Sequence, residues 1–175
     1  MTEFEDQADL EQVLLGEPWS YDKYLIAFHR FMDEVAMEDL SFNFVDFWVQ
    51  IHNLSILSMK KNVVESLGSG IGEVLKVSEL EDETGNGQCM RVRVRLDISK
   101  PLCRGRKLRQ VKGVEGWVSF EYERMPNFCY RCGIPNHGDE DCEDWLRTPP
   151  TQRESFQSIG LGSEQQQSAP LGVCR

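Results

Sequence analysis

The chain has 175 residues, of which 40% are hydrophobic and 27% charged, and a formal net charge of −10. That length accommodates one ordinary domain plus a small appendage, and the composition is that of a soluble globular protein rather than a fibrous or disordered one. No apolar run reaches the roughly 18–20 residues needed to span a bilayer. The acidic start, MTEFEDQADLEQVLLG, lacks the basic and long apolar parts of a secretory signal.

The charge is unevenly placed. Residues 1–47 hold twelve acids and two bases, whereas residues 91–112 hold nine bases and the single acid Asp97. The total therefore conceals a basic segment, and a nucleic-acid partner is not excluded by it. In a reducing intracellular compartment the six cysteines, Cys89, Cys103, Cys129, Cys132, Cys142 and Cys174, read as thiols or metal ligands.

In chain order, residues 6–15 carry Leu10, Val13 and Leu14 at helical spacing, with Gly16 as the stop. Glu17-Pro18-Trp19-Ser20 breaks the chain, and residues 23–31 and 44–54 read as strands. Ser58 is placed to cap a helix that runs to Leu67, with Gly68 beyond its end. Residues 71–79 return as a strand, and 83–87 form a turn rich in glycine and asparagine. GSGIG (68–72) lies after a helix and before a strand, the reverse of a phosphate loop, and reads as a helix stop.

Strict alternation follows: Met90, Val92, Val94, Leu96 and Ile98 on one side, Arg91, Arg93, Arg95 and Asp97 on the other. A basic loop leads to residues 116–124, where Val118, Phe120 and Tyr122 alternate again. These two strands are expected to pair as an antiparallel hairpin, giving an α+β domain. His29 and His52, in strand-like segments without metal-spaced partners, read as structural. The tail from residue 148 is rich in Gln, Ser, Pro and Gly and reads as disordered.

The segment FCYRCGIPNHGDEDCEDW carries Cys129, Cys132, His137 and Cys142 in the pattern C-x2-C-x4-H-x4-C. Three thiolates and one imidazole fill the closed tetrahedral set of a structural zinc site, leaving no open position for catalysis. Gly133 falls where the chain must bend, and Asn136 tolerates a left-handed conformation. So short a segment buries little apolar surface, so its folding should depend on the ion.

With Tyr130 after the first cysteine and Gly133 after the second, this pattern resembles a zinc knuckle of the retroviral nucleocapsid type. The stretches PWSYDKYLIAFHRF, FWVQIHNL, IGEVLKV, RVRVRLDISKPLCRGRKL and YERMPNFCYRCGIPNHGDEDCEDW widen the likeness to about residues 3–147. Together they resemble plant proteins of LINE-type retrotransposons, and genes derived from them, in which a domain of unknown function precedes a zinc knuckle. The resemblance implies an α+β domain over 1–124, a knuckle over 125–147 and a tail over 148–175. It also implies zinc and nucleic-acid binding, no catalytic activity and a nuclear location. Such proteins carry a longer amino-terminal portion, so a shortened domain is expected here, and the tail departs from the family pattern.

Zinc knuckles hold single-stranded RNA or DNA by stacking a ring on an unpaired base while cations hold phosphates. Tyr130 is the stacking candidate, or else packs over the metal-bound turn; Phe128 and Trp145 are weaker ones, and Trp145 is read as a cover for the knuckle's end. Asp139, Glu140, Asp141, Glu143 and Asp144 repel phosphate, so affinity must come from the basic segment. Arg91, Arg93 and Arg95 serve either as phosphate contacts or as ion-pair partners of Glu121 and Glu123 across a hairpin. Lys100, Arg104, Arg106, Lys107, Arg109 and Lys112 lack an obvious acidic match and are the better phosphate contacts. Two other readings stay open: a protein-interaction module with a purely structural zinc, and a fragment of a mobile element without selected activity.

Overall fold

The computed structural model describes residues 6–30, 40–78, 89–109, 115–135 and 137–147. The expected turn at 83–87, Lys112, Asn136, the Trp145 side chain and the tail from residue 148 lie outside the described residues.

Helix α1 spans Gln7–Leu15, and the Asp6 carboxylate accepts the Ala8 N–H at 2.9 Å to cap it. Strands β1 (Trp19–Tyr21) and β2 (Tyr24–Ile26) form a separate two-stranded ribbon. The turn between them is Asp22-Lys23, both at positive φ (47° and 67°), the arrangement that matches the twist of a two-residue hairpin. The strand expected over 23–31 is therefore short, and its partner lies in the segment read as a break.

The main sheet has five strands in the order β4-β5-β3-β7-β6, all neighbours antiparallel. These are β3 (Phe44–His52), β4 (Glu73–Val77), β5 (Cys89–Asp97), β6 (Gly105–Arg109) and β7 (Glu115–Tyr122). Central strand β3 alternates without a break, sending Val45, Phe47, Val49 and Ile51 into the core. Met90, Val92, Val94 and Leu96 of β5 and Val118 and Phe120 of β7 join them. Each such side chain contributes about 1.5–3 kcal/mol on full burial.

The expected pairing of β5 with β7 is wrong: β3 lies between them, and β7 forms its hairpin with β6. The basic stretch read as a loop thus contains a strand of its own. Cations dominate it and carry little strand signal, so only the register against β7 reveals it.

Helix α2 spans Lys61–Ser69 and packs Val64, Leu67 and Gly68 against the β4–β5 side of the sheet. It starts later than expected because Ser58 closes a 3-10 turn (Ile56–Ser58), where it is buried and bonded to Ser55 Oγ at 2.8 Å. Gly68 lies inside the helix rather than beyond it. A Cβ there would come within 2.9 Å of Val74 and 3.1 Å of Val92, so its role is close approach.

On the opposite face the three arginines of β5 are all engaged. Arg93, 7% exposed, donates to the Leu15 and Leu14 carbonyls at 2.6 and 3.0 Å and so holds the end of α1. Arg95 pairs with Asp46 at 2.9 Å. Arg91 forms a two-pronged bond to Glu123, both contacts at 2.7 Å, and its guanidinium lies 4.7 Å from the centre of the Trp48 ring. Of the ion pairs expected across a hairpin, the one with Glu123 exists, but it reaches across β3. Glu121 instead faces His52 at 3.6 Å.

Candidate metal centre and its basic flank

Past β7 the chain turns at Arg124, a residue with φ 54° whose guanidinium donates to the Gly16 carbonyl. Phe128 then packs against the core, and the next residue, Cys129, is completely buried. Gly133 N donates to Cys129 O at 2.8 Å and Cys129 N to Ile134 O at 3.1 Å, closing a tight loop. Gly133 has φ 81°, the left-handed conformation that favours glycine at this bend. The Cys142 carbonyl accepts Leu146 N at 2.9 Å at the start of the short helix α3 (Glu143–Arg147).

These turns bring together Cys129, Cys132, His137 and Cys142, with one donor atom from each and all four atoms within 4.8 Å of one another. Cys132 Sγ lies 3.3 Å from His137 Nε2. Around a tetrahedral zinc with bonds of about 2.3 Å, sulfurs stand roughly 3.8 Å apart, so the spread suits such an ion. Burial pushes the Cys129 thiol up to about 12; the Cys132 and Arg131 amides pull against this, and the nearby Cys132 and Cys142 sulfurs add to the rise. Crowded, buried thiols of this kind become thiolates when a cation supplies the missing charge, and a soft sulfur-rich set suits zinc. Cys89 is likewise a free thiol.

The cluster is fastened to the sheet by the segment joining β5 to β6. Leu102 N donates to Gly133 O at 2.9 Å, and Pro101 packs so close that a Cβ on Gly133 would meet its Cβ at 3.1 Å. Tyr122 in turn donates its hydroxyl to the Cys103 carbonyl. Sequence reasoning missed this strap, since nothing in Lys-Pro-Leu-Cys marks it as a partner of Gly133.

Tyr130 is 63% exposed, meets Phe128 edge to face at 5.1 Å between ring centres, and has the Arg104 guanidinium 5.2 Å from its own centre. The stacking candidate and one basic candidate thus meet at a single place. Asp139 is turned inward, accepting Tyr130 N at 2.7 Å.

The other cations are spread out. Contrary to expectation, Lys100 has an acidic match in Asp97 at 2.6 Å, and Arg109 has one in Glu115 at 3.7 Å. Arg106 is half-buried against the end of α2, where a Cβ on Gly70 would lie 2.6 Å from its Nη1. Lys107 is exposed and makes no ion pair among the described residues. His52 bonds to Gln50 at 3.1 Å and His29 meets the Phe42 ring at 6.0 Å, so neither joins the metal cluster.

Residues 96–144 match the family model of the zinc knuckle, a span that includes the strap and the β6–β7 hairpin as well as the Cys/His cluster. That match and the four-donor cluster support a zinc-binding module. A relative is the uncharacterized protein At4g02000 of Arabidopsis thaliana, 26% identical over 134 residues, covering 77% of this chain and 42% of that protein. The chain thus spans less than half the length of this plant relative. No solved structure matches the chain.

Proposed function

We propose that this chain is a non-catalytic, zinc-binding module for single-stranded RNA or DNA, derived from a retrotransposon. Cys129, Cys132, His137 and Cys142 would hold the ion; when bound, it cross-links four side chains of a loop that has little core of its own. The layout is an α+β domain over 1–124, a knuckle over 125–147 and a tail beyond. A reducing compartment suits the thiolates, and the resemblance to retrotransposon-derived plant proteins favours the nucleus.

The observation that carries the nucleic-acid reading is Arg104 over the exposed ring of Tyr130, beside the donor cluster. An open ring and a cation in contact are what an unpaired base and its phosphate require. The test is a salt titration of single-strand binding with zinc-loaded and zinc-stripped protein. Affinity should fall steeply with salt and weaken when the metal is removed. A second reading, a protein-interaction module, is favoured by the exposed acids Glu140, Asp141 and Glu143 around the cluster. Absence of single-strand binding at low salt would select it.

A further inference from the structure

The outer face of the β6–β7 hairpin carries an aromatic and cationic surface remote in sequence from the metal cluster. The register sets Gly105 opposite Ser119, Lys107 opposite Trp117 and Arg109 opposite Glu115, and residues paired in this way share a face. Val118 and Phe120, one position out of phase, fill the core. A Cβ on Gly105 would lie 2.8 Å from both Cε2 and Cζ2 of Trp117, so the indole rests over the bare backbone of the neighbouring strand. It still leaves 39% of the residue open to solvent, and β6 is the edge strand of the sheet among the described residues.

Lys107, directly across from the indole, is exposed and makes no ion pair among the described residues. Arg109, two residues along the same face, has among the described residues the solvent-exposed contact with Glu115, a kind of pair that holds a cation weakly. A single open ring beside two cations is too small an apolar area for a protein interface but has the makings of a single-strand contact.

We propose that this face is a second, zinc-independent contact for single-stranded nucleic acid, with Trp117 stacking on an unpaired base and Lys107 and Arg109 holding phosphates. The inference rests on the nucleic-acid reading above and extends it to residues outside the metal-binding segment.

The experiment measures binding of short labelled oligo-uridine and oligo-thymidine strands to the intact, zinc-loaded chain by fluorescence anisotropy. Trp117→Ala should weaken binding about fivefold or more with zinc content unchanged, and Trp117→Phe should restore most of it. Lys107→Ala, which removes no ion pair among the described residues, should lower the salt slope by about 0.7. Zinc-stripped wild type should keep a residual affinity that Trp117→Ala removes. Wild-type binding that neither Trp117→Ala nor Lys107→Ala changes would overturn this contact and leave the indole as a cover for Gly105, with the Tyr130 site untouched. No binding by the wild type at low salt would overturn the nucleic-acid reading itself.

Discussion

Leu102 donates its backbone N–H to the Gly133 carbonyl at 2.9 Å, and this bond joins the sheet to the metal-binding loop at a residue whose backbone is left-handed. With Phe128 packed against the core and Cys129 fully buried, stability of the loop and of the adjoining sheet edge should be coupled. Cys132→Ser should therefore lose bound zinc and lower the thermal midpoint of the whole chain. Elemental analysis and a melting curve check this; a variant that keeps one zinc per chain would remove the site.

Gly133→Ala tests the bend itself. The φ of 81° costs an L-residue about 1–2 kcal/mol, and the new methyl would stand 3.1 Å from Pro101 Cβ. Chemical denaturation should show a loss of at least that size. An unchanged midpoint would mean that the loop does not need this conformation.

Arg93→Ala should be among the most damaging changes outside the core. It takes the Arg93 donor from the Leu15 carbonyl and one donor from the Leu14 carbonyl, which also accepts Glu17 N at 3.3 Å, and removes a cation from beside Asp46 at 3.9 Å. A cost of about 3 kcal/mol is expected, with hydrogen exchange rising first in α1. Uniform destabilisation with α1 still protected would contradict this anchoring role.

Glu17 and Glu123 should respond to pH in opposite senses. Burial raises the Glu17 pKa above the ordinary glutamate value, with nearby Asp46 adding to it and the Asp46 N–H, Arg93 and Arg95 opposing it. Its contribution is thus full below the unfolded pKa and is lost as pH rises through the folded one. For Glu123 burial also pushes upward, but the bonds from Arg91 and Gln50 win and lower its pKa. That contribution is present above the unfolded value and is lost as pH falls through the folded one. Glu17→Gln should therefore gain stability relative to wild type as pH is raised from acid to neutral, and Glu123→Gln should lose it. Parallel pH profiles for the two variants would refute the assignment.

Arg106 and Lys107, adjacent in sequence, should separate stability from binding. Arg106→Ala removes a cation from the end of α2 and should cost about 0.3–1 kcal/mol of stability, with little effect on the salt slope. Lys107→Ala should do the reverse. Tyr130→Ala should weaken single-strand binding by about 1–3 kcal/mol with zinc retained; equal binding would demote that ring.

Much of the central framework was legible in residue order. The alternation in β3, β5 and β7 states which side chains face inward, and the donor spacing selects four residues that the folded chain brings within reach of one another. Pairing was not legible, because alternation fixes the face of a strand and not its neighbour. Hence β3, rather than β7, lies beside β5. The ribbon of β1 and β2 was hidden because Asp22-Lys23 turns without glycine, and β6 because cations mask its period. Asp46 shows the same gap: it lies 49 positions from Arg95 in sequence, yet the register places the two side by side.

The seating of Cys129 also bears on how this molecule can be dissected. A synthetic peptide cut to residues 125–147 would keep all four donors but expose to water a phenylalanine and a cysteine that the intact chain shields. It would also lose the outside wall that Pro101 and Leu102 give the bend. Such a fragment should capture metal more loosely than its parent, and affinities measured on it would understate those of the whole polypeptide.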